Sequence, residues 1–279
     1  MASVSVPLAP APGAVPLAAT SAAAPLRTAC ASCGGRLLGD FCHGCGQRVQ
    51  AGRLTVRGIA AHLVTDAFDL NRGLLFTAVA LFRRPGEAVR EYVSGATVRY
   101  TNPVKYLLLL AALALLMMVR LDVFETQMRA LPGVAAAQES VQAQQMQAEL
   151  SAWISRHMNL LMIAGVPVIA WLSRRFFRAA GFNYAEHLVF NVFAYAQMCL
   201  LSLLVLPLTQ AAGLGARGMM AASLVNVGYY VWALASFTRA RPLRGILGGV
   251  AVQALGMLGM ALLGGVAGAV YAVVALSMR

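Results

Sequence analysis

Long apolar segments fill most of the chain between residues 103 and 279, and they constrain the fold more than any other feature. A helix needs about 20 apolar residues to cross the hydrocarbon core of a bilayer. Because 59% of all residues are hydrophobic and only 11% are charged, an ordinary soluble domain is excluded. The sequence therefore predicts an all-α integral membrane protein with about five transmembrane helices. We place them at about residues 104–119, 153–172, 185–208, 218–237 and 245–276.

The last apolar segment, residues 245–276, is longer than a bilayer is thick. As a helix it would be about 48 Å long, against a hydrocarbon core of about 30 Å. It must therefore tilt, bend or protrude, because it is too short for two ordinary spans. Gly245 and Gly249, and likewise Gly264 and Gly268, have the GxxxG spacing that allows helices to approach closely. This spacing is compatible with packing inside the bundle and with a homo-oligomer.

The chain before the first span divides into three parts of different composition. Residues 1–28 are rich in Ala, Pro, Ser and Val, and their prolines interrupt every apolar run, which predicts a disordered tail rather than a secretory signal. Residues 29–50 carry four of the five cysteines. Residues 51–102 combine apolar faces with charged opposite sides, a pattern typical of amphipathic helices at a membrane interface. Residues 103–279 form the predicted transmembrane domain.

Four cysteines form two CxxC pairs, Cys30 with Cys33 and Cys42 with Cys45. Two such turns can direct four thiolates at one point, which predicts a tetrahedral structural zinc site in a small ribbon. A segment this short has almost no core of its own, so metal binding and folding are expected to be coupled. His43 is an alternative ligand, and a redox couple is an alternative chemistry that the lack of a strand–helix pattern around the pairs disfavours. A closed four-thiolate site has no free position for catalysis.

Lysine and arginine are distributed unevenly between the two sides of the predicted spans. Seventeen of the 22 basic residues lie in segments on the side of the N-terminus, and five lie on the other side. Basic residues accumulate on the cytosolic side of membrane proteins, so the N-terminus is predicted to be cytosolic and the C-terminus outside. The cytosol also keeps thiols reduced, as a metal-bound cluster requires.

Glu186 and His187, at the start of the third predicted span, are the strongest functional signal in the membrane body. Ionisable side chains in a transmembrane segment are costly and usually face an interior or a cavity. The polar side chains that can share a site with them are Asn191 in the same span and Asn226, Tyr229 and Tyr230 in the fourth. Such a site would hold a substrate, a proton or an ion. Interfacial depth near Arg178 and hydrogen bonding between helices explain the same residues without a function.

A series of short motifs runs in a fixed order from the cysteines to the third span. The motifs are Cys33-Gly34, Cys42-x-x-Cys45-Gly46-Gln47, Phe68-Asp69-Leu70-Asn71-Arg72-Gly73 with Thr77, Arg84-Pro85-Gly86, Tyr92, Gly95, Arg99-Tyr100, Asn102-Pro103-x-x-Tyr106 and Glu186-His187. In this order they resemble the bacterial membrane proteins catalogued as domain of unknown function 3667. The resemblance implies a zinc-ribbon head on a multi-span body and supplies no established activity.

These features predict a non-enzymatic, multi-pass protein of the bacterial inner (cytoplasmic) membrane. Its cytosolic zinc ribbon is expected to dock a protein partner in an assembly, scaffold or regulatory role, because no nucleophile–base pair or open metal site is visible. The alternative is a transporter-like or lipid-handling protein that uses the polar site around Glu186 and His187. Nucleic-acid binding is not expected, since the head has few aromatic residues for stacking and topology explains its arginines.

Overall fold

The body of the protein is a bundle of helices. The computed structural model describes residues 29–49, 52–56, 73–121 and 165–277. In chain order the helices are α1 (Leu74–Arg83), α2 (Pro85–Val93), α3 (Pro103–Arg120), α4 (residues 165–176 as described), α5 (Tyr184–Ala211), α6 (Gly215–Thr238) and α7 (Pro242–Ser277), with a 3-10 turn at Arg178–Ala180. No β-strand forms in these ranges.

Four of the described helices are long and apolar enough to cross a membrane. The candidate spans are Pro103–Arg120, Tyr184–Ala211, Arg217–Thr238 and Pro242–Leu262. This confirms the predicted all-α membrane architecture with a four-cysteine segment before it. Of the predicted span at residues 153–172, only residues 165–172 are described, and they are helical. The predicted tail at residues 1–28, the predicted amphipathic helix after residue 56 and the connection after residue 121 lie outside the described residues.

Helix starts in the body follow local sequence signals. The Asn102 side chain accepts a hydrogen bond from the Val104 N–H at 3.0 Å, so α3 begins at Pro103, one residue before the predicted start. At α5, the Asn183 side chain accepts from the Glu186 N–H at 2.9 Å, and the Glu186 carboxylate accepts from the Asn183 N–H at 2.8 Å. This reciprocal capping box satisfies two backbone donors that the first turn would otherwise leave unpaired.

Helix α5 is the central element of the bundle. Of its most apolar 18 residues 61% are buried, against 28% in the corresponding parts of α3 and α7. The fully buried aromatic rings of Phe190 and Phe193 lie on this helix. Phe190 stacks on Phe237 of α6 with ring centroids 4.9 Å apart, and Phe182 stacks on the same ring at 4.3 Å. The first turn of α5 is therefore held against the last turn of α6.

The short helix α2 packs against the C-terminal end of α6. A Cβ atom at Gly86 would overlap the backbone of Ser236 and Phe237, so glycine is required for this close approach. The Arg90 guanidinium donates to the carbonyl oxygens of Ser236 and Phe237, the latter at 3.1 Å. Arginine at the end of a helix satisfies carbonyl groups that have no partner within the helix. Helix α2 is thus a cap on α6 rather than a span.

Candidate metal centre

The two CxxC turns of the head, residues 29–49, are built in the same way. Cys30 N–H donates to the Gly35 carbonyl and Cys42 N–H to the Gln47 carbonyl, each at 2.8 Å. An isolated β-bridge flanks each turn, pairing Ala29 with Arg36 and Phe41 with Arg48. The turns contain Gly34 at φ 75° and Gly46 at φ 72°, a left-handed conformation that favours glycine. These glycines therefore shape the turns that present the thiols.

The four cysteine sulfurs form one cluster. All four Sγ atoms lie within 4.8 Å of one another, with Cys30 and Cys45 at 3.5 Å and Cys33 and Cys42 also at 3.5 Å. All four cysteines are free thiols. Tetrahedral coordination with metal–sulfur bonds of about 2.3 Å places sulfurs about 3.8 Å apart, close to this arrangement. The cluster can bind a metal ion, and the exposed His43 is not part of it.

Hydrogen bonds and proximity shift the pKa values of two of these thiols in opposite directions. Burial alone would raise the pKa of Cys30, but backbone hydrogen bonds from Cys33 and Ser32 and the neighbouring thiols lower it to about 6. A backbone hydrogen bond from Gln47 lowers the pKa of Cys45, whereas burial and the other thiols outweigh it and raise the value to about 12. Of these two thiols, Cys30 is therefore the more readily converted to the thiolate form that binds metals.

Gln47 ties the head to the membrane body and is itself 4% exposed. Its Oε1 accepts from the backbone N–H groups of Thr97 and Val98 at 3.1 and 3.0 Å, in the loop between α2 and α3. Its Nε2 donates to the Thr97 hydroxyl at 3.0 Å and to the Arg48 carbonyl at 2.9 Å. Ser32 of the first turn donates to the same Oε1 at 2.8 Å. One amide side chain thus joins both CxxC turns to the segment that leads into α3.

A second tie joins the segment after the head to the start of α5. Arg53 Nε donates to Glu186 Oε1 at 2.9 Å, and an Arg53 terminal nitrogen donates to Glu186 Oε2 at 2.5 Å and to the Gly181 carbonyl at 2.9 Å. The Glu186 side chain is 7% exposed and that of Arg53 is 61% exposed. Hydrogen bonding to Glu186 raises the pKa of Arg53 despite partial burial. The carboxylate is therefore neutralised by Arg53, rather than by the Arg178 that the sequence suggested as its neighbour.

His187 and Asn191 belong to a buried polar cluster with Ser173 of α4 and Tyr230 of α6. His187 Nδ1 lies 3.0 Å from Ser173 Oγ, within hydrogen-bonding distance. Asn191 Nδ2 donates to Ser173 Oγ at 3.1 Å, and Tyr230 O–H donates to Asn191 Oδ1 at 2.8 Å. All four residues are fully buried. The cluster cross-links α4, α5 and α6.

The structure does not bring the other two predicted site residues to this cluster. Asn226 donates to the Ser202 hydroxyl at 2.9 Å, and the Tyr229 hydroxyl donates to the Leu81 carbonyl at 3.1 Å. Ser173, which ends an apolar stretch directly before Arg174 and Arg175, was not predicted as a site residue, and neither were Gln47 and Arg53. Gln47 carried a signal as part of the Cys-Gly-Gln motif, whereas Arg53 carried none.

Fold and site together define a multi-pass helical membrane protein with a four-cysteine head that is able to bind a metal ion. Residues 71–115 match the model of a family described as protein of unknown function (DUF3667). The match confirms the resemblance that the motifs indicated. It includes Thr77, whose hydroxyl accepts from the Thr101 N–H at 2.8 Å, as well as Gly86 and Thr97. No curated protein and no solved structure matches the chain.

Proposed function

We propose that the chain is a non-enzymatic protein of the bacterial inner membrane whose zinc-bound head recruits a protein partner in an assembly, scaffold or regulatory role. Four thiolates in a closed cluster are the ligand set of structural zinc sites. Such a site leaves no coordination position for a substrate, which supports recognition rather than catalysis. The positive-inside distribution of arginine supports a cytosolic head.

The observation that carries this proposal is an exposed apolar pair on the head. Leu38 is 72% exposed and Phe41 is 57% exposed, in the segment that connects the two CxxC turns. Phe41 is bridged to Arg48, and neighbouring side chains of an extended segment point to opposite faces. Phe41 therefore faces away from the side on which Gln47 contacts the body. Covering the exposed parts of both side chains would contribute about 2–4 kcal/mol to partner binding.

A cross-linking experiment with matched variants tests this proposal. A photoreactive residue at Arg36, beside the apolar pair, is introduced into the wild type and into Leu38→Ser/Phe41→Ser, Cys42→Ser and His43→Ala variants of the full chain. We expect defined partner adducts in the wild type and in His43→Ala, and loss of those adducts in the other two. Zinc content should fall only in Cys42→Ser. If Leu38→Ser/Phe41→Ser retains zinc and still forms the same adducts, the apolar pair does not take part in partner recognition.

A transporter-like or lipid-handling role remains the second candidate because His187 Nε2 is buried without a hydrogen-bond partner in the described part of the chain. An unpaired, buried ring nitrogen can form a hydrogen bond with a polar ligand. The test compares His187→Ala with Ser202→Ala, which removes a hydroxyl partner of Asn226 elsewhere in the bundle. If His187→Ala alone loses transport or fails to rescue a deletion strain, this role is supported. Full rescue by His187→Ala contradicts it.

A further inference from the structure

A basic groove surrounds the Arg178–Ala180 turn, where α4 ends and α7 begins. A cavity of about 770 Å³ is lined by Trp171, Leu172, Arg175, Phe176, Arg178 and Arg244, together with Ala179. A second cavity of about 570 Å³ adjoins it, shares Ala179 and Arg244, and adds Arg239 and Arg241. We call these two cavities the basic groove. Both apolar and basic side chains line it, and no acidic residue does.

Within the described part of the chain, no carboxylate balances the positive charge of the basic groove. Glu186 is the only acidic residue between positions 151 and 279, and it forms an ion pair with Arg53. No described carboxylate pairs with Arg175, Arg178 or Arg244. Burial and the positive charge of the nearby Arg239 lower the pKa of Arg90. Topology accounts for the number of arginines on this side but not for their convergence on one groove.

The apolar and basic residues of α4 are arranged by depth. Trp171 and Arg175 are four residues apart, as are Leu172 and Phe176, so each pair lies one above the other on the helix surface. The arginine lies nearer the helix end, and Trp171, which is 56% exposed, lies one turn deeper. Phe176 is 37% exposed. A ligand that fits this order carries an anionic group above an apolar chain.

We propose that the basic groove binds an anionic phospholipid. Its phosphate lies between Arg175, Arg178 and Arg244, because guanidinium groups bind phosphate oxygens through paired N–H donors. Its acyl chain lies along Trp171 and Leu172, at the depth where tryptophan is favoured in membrane proteins. A free phosphate ion or a soluble anionic metabolite would leave these apolar side chains uncovered. The site is separate from the head and does not depend on the role proposed for it.

Tryptophan fluorescence in vesicles tests this proposal directly. In the full chain, Trp153→Phe and Trp232→Phe leave Trp171 as the single tryptophan. The protein is placed in vesicles that contain phosphatidylglycerol or phosphatidylcholine with brominated acyl chains, which quench a nearby indole. The dependence of quenching on lipid composition measures the preference of the Trp171 site for the anionic lipid. We expect a clear preference for phosphatidylglycerol, which increasing ionic strength should weaken.

The preference for the anionic lipid is compared between two double variants. Arg175→Gln/Arg244→Gln removes two groove arginines, and Arg120→Gln/Arg217→Gln removes two exposed arginines at the other ends of helices α3 and α6. Since each basic residue near an anionic surface contributes about fivefold, the first variant should lose about 25-fold in preference. The second should be unchanged. Equal quenching by both lipids in the unmodified groove, equal loss in both variants, or loss of the preference when inorganic phosphate replaces chloride at constant ionic strength would each overturn the proposal.

Discussion

Replacing Gln47 with alanine should release the head from the membrane body without removing the metal. The substitution deletes the acceptor of the Thr97 and Val98 N–H groups, the donor to the Thr97 hydroxyl and the contact with Ser32. The Ser32 contact lies within the head, so three of these contacts join the head to the body. Each intramolecular hydrogen bond contributes about 1 kcal/mol net, so the three stabilise docking by about 3 kcal/mol. Since about 1.4 kcal/mol is a factor of ten, the equilibrium constant for docking should fall by up to about 100-fold.

Hydrogen–deuterium exchange measures this release at the amides of Thr97 and Val98. Their protection should fall sharply in Gln47→Ala, whereas the zinc stoichiometry at saturating zinc should remain that of the wild type, because no cysteine is changed. Gln47→Glu is the matched control, since its carboxylate keeps an acceptor for both backbone amides and loses the Nε2 donor. In Gln47→Glu, the protection of the Thr97 and Val98 amides should lie between that of the wild type and that of Gln47→Ala. Unchanged exchange at these amides in Gln47→Ala would refute the role given to this side chain.

Three further outcomes follow from other contacts. Arg53→Ala should lower the free energy of unfolding by about 1–2 kcal/mol, because it leaves the 7% exposed Glu186 carboxylate without its cation. The expected loss is this small because the Arg53 side chain is itself exposed to solvent. Thermal unfolding in detergent measures the loss, with Arg53→Lys as control. Gly86→Ala should lower the free energy of unfolding by about 1–3 kcal/mol, because the added Cβ would overlap the α6 backbone. An equal loss of stability in Glu87→Ala would contradict this cause. Removing metal with a chelator should open residues 29–49 to proteolysis while helical circular dichroism persists, and a resistant head would argue against folding coupled to metal.

Local signals made several parts of the structure predictable. The CxxC spacing indicated the thiol cluster, and Asn102-Pro103 indicated the start of α3, because each depends on residues within a few positions of one another. The ties made by Gln47 and Arg53 span 50 and 133 residues of sequence. No periodicity encodes such pairings, so they become visible only when the helices are assembled.

The prediction of one site that contains both Glu186 and His187 did not take into account that neighbouring residues in a helix point in different directions. Consecutive residues point about 100° apart around a helix axis. Glu186 consequently meets Arg53 near the surface, whereas His187 is directed at Ser173 in the interior. The same geometry separates Tyr229 from Tyr230, since only the second reaches Asn191. The polar residues were recognisable from sequence, but their distribution among different faces was not.

The Gln47 contacts have a consequence for how tightly the head holds its metal. If metal binding orders the head, and only the ordered head docks through Gln47, the docking energy adds to the free energy of metal binding. A peptide comprising the head alone lacks Thr97 and Val98, and its metal affinity would be lower by the same factor of up to about 100. By reciprocity, the metal favours the arrangement of the loop that leads into α3. The membrane body is thereby a determinant of metal affinity, although it contributes no ligand.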